Sequence, residues 1–155
     1  MPAALSDPKW VLPSCGGLWH GKHRYDDGAD ADPTNFYAAL NATTTLRVLG
    51  QRLGGSPSDL ERAHILLPVT TFFAERAAES DPGDFWARAT VAECLLTGHL
   101  LGDGVRTDQV VAAYAEAAVL DPGADAARAL RNQLHFYEVA GDPVDVLGQV
   151  RDLFP

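Results

Sequence analysis

Beyond residue 32 the chain alternates between apolar runs at helical spacing and short polar punctuation. The clearest unit lies between Asp81 and Pro122. Asp81-Pro82-Gly83-Asp84 opens an apolar run over Phe85–Leu96, and Gly98 and a bend through His99–Arg106 follow. A second run over Thr107–Leu120 is closed by Asp121-Pro122. Asp accepts from the free N–H groups of a first helical turn, and Pro is tolerated there because its missing donor is not needed. Phe85, Ala89, Ala92 and Leu96 share one helical face, as do Val110, Tyr114 and Ala117, with Val111 and Ala118 beside them. The pattern predicts a helical hairpin with a stop at each end.

The same reading extends in both directions. A first helix is expected from Pro33 to about Leu49 with Asp32 as N-cap, burying Phe36, Leu40, Thr44 and Val48 and ending at Gly50. Ser58-Asp59-Leu60-Glu61 has capping-box spacing and should open a second helix with the stripe Leu60, Ala63, Leu67, Thr71, Ala74 and Ala78. Pro68 lies inside that stripe and should kink or break it near Leu67. A fifth helix from Asp121 to Ala140 buries Ala127, Leu130, Leu134 and Tyr137. Gly141 stops it, and Asp142-Pro143 opens a sixth, carrying Leu147, Val150 and Phe154. No stretch alternates like a strand. The expectation is an all-α domain over residues 32–155, with residues 1–31 as an irregular N-terminal arm.

That arm holds Pro2, Pro8, Pro13, Gly16, Gly17, Gly21 and Gly28, which is loop chemistry, and Trp10 and Trp19, which are suited to anchor it on the helical body. At 155 residues the chain is long enough for one domain with a sizeable core. Its net charge of −9 disfavours nucleic acid and anionic lipid as partners. No apolar run has the length of a membrane span, and Met1–Asp7 lacks the pattern of a signal peptide, so the expected location is the cytoplasm. Cys15 and Cys94 read as free thiols.

Tyr114-Ala115-Glu116-Ala117-Ala118-Val119-Leu120-Asp121-Pro122 is similar to the second helix of a tetratricopeptide repeat, and Gly98 matches the glycine before that repeat's inter-helix turn. Asn35–Thr43, Asp84–Glu93 and Arg131-Asn132-Gln133-Leu134 resemble segments of a divergent tetratricopeptide family. That family is the TRAF-binding-region module of apoptosis signal-regulating kinases, also found in bacterial multidomain proteins. The resemblance implies a tetratricopeptide-like stack of three antiparallel helical hairpins. It also implies a regulatory or scaffolding role through protein binding, without catalysis or a cofactor.

Candidate chemistry is sparse. Gly16-x-x-x-x-Gly21-Lys22 has phosphate-loop spacing, but His23 stands where Ser or Thr must hold magnesium. Cys15, His20 and His23 supply metal-ligand types at a spacing that fits no common zinc site. A small enzyme or metal-dependent subunit built on that arm is one alternative, and a structural piece that homo-oligomerises is another. His64, His99 and His135 are scattered and have no nucleophile motif beside them. Arg128, Arg131 and His135 fall at i, i+3 and i+7 on the fifth helix. In a tetratricopeptide stack the first helix of each pair lines a concave groove. There Arg47, Arg88, Arg128, Arg131, Asn132 and His135 would form a basic strip able to receive an acidic peptide or a terminal carboxylate. Asn41 reads as a packing residue.

Overall fold

The computed structural model describes residue 32 and residues 34–155. Among these it contains six α-helices and no strand: α1 (Phe36–Arg52), α2 (Pro57–Ser80), α3 (Phe85–Leu101), α4 (Thr107–Ala118), α5 (Gly123–Val139) and α6 (Val144–Arg151). The protein is all-α. The arm over residues 1–31 lies outside the described residues, and with it the expectations placed on Trp10, Trp19, Cys15, His20 and His23.

Chain punctuation sets most helix ends, though several are displaced from their expected positions. Asp32 does not cap α1. Its carboxylate takes the N–H and hydroxyl of Thr34 in a local turn, and Asn35 caps α1 by accepting from Ala38 N at 3.2 Å. The capping box of α2 begins two residues earlier than Ser58. Ser56 is the N-cap, Pro57 takes the first helical position, and Asp59 returns its carboxylate to Ser56 N at 2.9 Å. Asp84 caps α3 through Trp86 N and Ala87 N. Gly102, in the left-handed region at φ 84°, ends that helix.

Gly50 and Gly98 are not stops; both lie inside helices. A Cβ on Gly50 would come within 2.6 Å of Leu60 Cγ, and one on Gly98 within 3.2 Å of Val105 Cγ2. These glycines let α1 approach α2 and let α3 approach the loop before α4. Pro68 also leaves α2 unbroken. It and His64, whose carbonyl loses its donor, both face solvent, where water can hydrate the freed group.

The helices pack as α1 against α2, α2 against α3, and α3 against α4, with α6 laid across α4 and α5. The largest cluster joins Phe85, Ala89, Ala92 and Leu96 of α3 to Val110, Tyr114 and Ala117 of α4. Leu130, Leu134 and Tyr137 of α5 and Leu147 and Val150 of α6 complete it. Phe154, just past α6, makes edge-to-face contacts with Phe85 and Tyr114, the ring centres 6.3 Å apart in each case. A smaller cluster holds Leu40, Leu67 and Cys94, with Leu101 against it. The stripes expected for α3, α4 and α6 are buried as read. On α2, Thr70 is buried in place of Thr71, whose side chain is only part-buried.

Leu134 is 1% exposed in the main cluster. Leu134→Ala should lower stability by about 2–5 kcal/mol, the usual cost of a large-to-small core change. Urea denaturation of the two proteins checks this.

Candidate functional site

Helix α1 is buried without a break from Ala42 to Leu49, and that stretch includes Thr43, Thr44, Thr45 and Arg47. A charged side chain so placed needs a counterion and hydrogen bonds. Arg47 finds both in Asp142, in the turn between α5 and α6. Nη1 and Nη2 donate to the two carboxylate oxygens at 2.9 and 2.5 Å, with both side chains fully buried. Arg52 adds two longer contacts to Asp142 Oδ1 at 3.2–3.3 Å, and Arg47 Nη1 also donates to Gln51 Oε1. The Arg47 guanidinium carbon sits 5.3 Å from the centre of the Tyr137 ring, a cation–π arrangement. Arg47 Nε is the one buried side-chain nitrogen or oxygen among the described residues without a hydrogen-bond partner.

A second polar group adjoins this pair. The Tyr137 hydroxyl donates to Glu93 Oε1 at 2.7 Å, and Gln133 Nε2 donates to the same oxygen at 2.9 Å. Thr44 Oγ1 lies 3.2 Å from the Tyr137 hydroxyl. With the tyrosine proton directed to Glu93, the threonine is the donor in that contact. Burial raises the Glu93 pKa above the usual carboxylate range, while the two hydrogen bonds act in the opposite direction. Tyr137 and Tyr114 are likewise pushed upward by burial and by the nearby Glu93 charge. No α-carbon of α5 comes within 8 Å of one on α1 or α3. Long polar side chains therefore bridge α5 to both helices.

This arrangement relocates the expected basic strip. Arg47 is withdrawn from any binding surface, because it is wholly buried and neutralised by Asp142. Arg88 faces Glu116 on α4 at 3.8 Å. It stands five residues from Glu93, about 140° around α3, so it is turned away from the side that meets α5. On α5, Arg128, Arg131, Asn132 and His135 lie opposite Gln133 and Tyr137, on the outward face rather than in a concave groove. Each charge there has a neighbour: Arg128 pairs with Asp125 at 2.8 Å, and His135 lies 3.4 Å from Glu138. Arg131 donates to the carbonyls of Phe154 and Pro155 at 2.8 and 2.7 Å. Asn132 is exposed.

The surface that the sequence reading passed over is the outer side of α2. Ile65, Val69 and Phe72 are 58%, 42% and 55% exposed, and Pro68 is exposed between them. Their i, i+4, i+7 spacing is the missed signal, since it marks a second apolar stripe on the same helix. This stripe borders a groove of about 350 Å³ lined by Leu67, Pro68, Thr71 and Phe72 of α2, Cys94, Leu95 and Gly98 of α3, and Asp103 and Val105 beyond it. The Cys94 thiol at its floor is pushed up to about 12, chiefly by burial, and is therefore not a nucleophile at neutral pH.

No group of three or more His, Cys, Asp or Glu side chains able to hold a metal occurs among the described residues. No helix among them is long and apolar enough to cross a membrane. Compared with protein-family models, with curated proteins and with solved structures, the chain matches none.

Two outcomes follow from the polar bridge. Asp142→Ala leaves Arg47 buried without its counterion and should cost about 3–5 kcal/mol in chemical denaturation. Glu93 has a folded-state pKa above its ordinary 4.5, so the native protein holds the proton more tightly than the unfolded chain. Its contribution to stability is fully present below that ordinary value and is lost as pH rises through the folded value. Glu93→Gln keeps an acceptor for Tyr137 and Gln133 and cannot ionise. The stability gained by the variant over wild type should grow as pH rises above 4.5 and then level off, as read by denaturation midpoints across pH.

Proposed function

We propose that this chain is a non-catalytic protein-interaction module, an adaptor or regulatory piece, that receives a partner segment on the outer side of α2. The observation that carries the reading is the exposed stripe Ile65, Pro68, Val69 and Phe72 continuous with the adjoining groove. Contiguous apolar surface of this kind, rimmed by charge, marks docking sites on soluble domains. Glu61, Glu75 and Glu79 lie along it together with Arg76, which pairs with Glu79 at 3.4 Å, so a segment with apolar anchors and polar flanks suits it. The resemblance to the tetratricopeptide-like TRAF-binding-region module agrees with an interaction role.

A second reading keeps the outward face of α5, where Arg128, Arg131, Asn132 and His135 accept an acidic segment. It is favoured by the 66% exposed side chain of Arg128, whose ion-pair neighbour Asp125 is itself 91% exposed and easily exchanged. The two readings separate by mutation. Phe72→Glu with Ile65→Glu should abolish recovery of the partner and leave the circular dichroism and melting temperature nearly unchanged, since exposed substitutions usually move stability by less than about 0.5 kcal/mol. Reversing Arg128 and Arg131 should leave recovery intact. The opposite pair of results transfers the site to α5.

A further inference from the structure

We infer that the outer face of α2 pairs with the same face of a second copy of this chain, the two helices lying antiparallel about a two-fold axis that passes between Pro68 and Val69. The inference rests on reading that face as a docking surface, and it names the segment received there as α2 of the copy.

The face has the form of a seam. Glu61, Ile65, Pro68, Phe72, Glu75 and Glu79 are all exposed, and they follow one another in alternate steps of four and three residues. Steps of that kind keep one line of a helix turned toward a partner helix. By helical geometry Val69 and Arg76, both exposed, flank the line on one side and His64 on the other.

A two-fold contact matches a surface with itself, so residue i of one copy meets residue j of the other and j meets i. Charge selects the alignment. With the helices parallel, Glu61, Glu75 and Arg76 would each approach their own counterparts, like charge beside like charge. In the antiparallel pair, Ile65 of one copy lies across from Phe72 of the other, and Pro68 and Val69 of both fill the middle. The same alignment brings Glu61 level with Arg76 of the copy at both ends of the seam. Arg76 is 68% exposed and lies 3.4 Å from Glu79 of its own helix, a solvated contact that leaves the guanidinium other donors for a second carboxylate.

The remaining charges fall at the edges. Ser58 is level with Glu79 of the copy, so no carboxylate opposes that one. Glu75 of the copy comes up on the flank beside His64, which lies 3.4 Å from Asp103. Sliding the helices by about one turn removes these matches. In one direction Glu61 meets Glu79 and Ile65 meets Glu75, and in the other Glu61 meets the Phe72 ring. Only the alignment centred between Pro68 and Val69 sets apolar against apolar and brings the Arg76 cation to an acid of the other copy.

Sedimentation and light scattering of the full-length protein across concentration test this pairing. The mass should rise toward twice that of one chain. Ile65→Glu with Phe72→Glu should hold it at one chain, with the helical circular dichroism unchanged. Arg76→Glu sets an acid beside Glu61 of each copy and should weaken pairing about tenfold. Adding Glu61→Arg to that variant should restore it. Positions 61 and 76 stand about 22 Å apart along one helix, so restoration acts between copies and only in this alignment. A mass of one chain at every concentration up to about 0.1 mM overturns the inference. So does a dimer that Arg76→Glu does not weaken, or a weakening that Glu61→Arg does not reverse. The docking reading is separable from it. A wild-type protein that stays at one chain, yet recovers an outside partner that Ile65→Glu with Phe72→Glu loses, overturns the inference and leaves that reading standing. A dimer that survives Ile65→Glu with Phe72→Glu overturns both.

Discussion

The ion pair between Arg47 and Asp142 ties the first helix to the last turn of the fold. Both side chains are taken wholly out of water, a loss that their attraction offsets only because the contact is two-pronged and supported by Arg52 and Gln51. Such a pair adds little net stability compared with a hydrophobic contact. What it adds is position. Ninety-five residues separate the partners, and the two-pronged contact holds the α5–α6 turn against α1. With the turn fixed there, Tyr137 lies under the guanidinium and its hydroxyl reaches both Thr44 and Glu93.

That placement accounts for the composition of α1. A helix packed on one side shows one apolar stripe, whereas α1 is buried around its circumference from Ala42 to Leu49. Threonines suit such a site because each hydroxyl can find an acceptor or donor close by. Thr43 returns its proton to the Ala39 carbonyl, and Thr44 meets Tyr137. The inner side of α1 and α3, which an open helical stack leaves for a ligand, is spanned here by Tyr137, Gln133 and Asp142. That inner side is therefore filled by the protein's own side chains.

Local pattern was enough to read the α3–α4 hairpin, the stripes of α5 and α6 and the all-α class, because each depends on residues within a few turns of one another. Distance in sequence explains what was misread. Asp142 precedes a proline and looks like a helix opener, and nothing nearby distinguishes a capping aspartate from one whose partner lies on α1. Arg47 reads as part of a groove-lining basic strip for the same reason. Gly50 and Gly98 have the composition of stops, yet their role is set by Leu60 and Val105 on neighbouring segments. The basic strip of α5 is correctly periodic. Its direction was not legible, because the face a helix buries depends on which neighbour Gln133 and Tyr137 reach.

Helix α2 reverses the usual distribution of bulk. Its inner side presents Ala63, Leu67, Thr70, Ala74 and Ala78, mostly small residues that bring α1 and α3 close, while Ile65, Val69 and Phe72 point outward. Folding gains nothing from apolar side chains left in water, and each would bury about 1.5–3 kcal/mol worth of surface if covered. Lone exposed apolar residues are ordinary, but three in register beside a groove form one surface. Pro68 sharpens the point. It removes a backbone hydrogen bond from the middle of a 24-residue helix and contributes an exposed ring to that surface. The outward stripe thus adds nothing to the packing of the helix that carries it, and at Pro68 it costs that helix a backbone hydrogen bond.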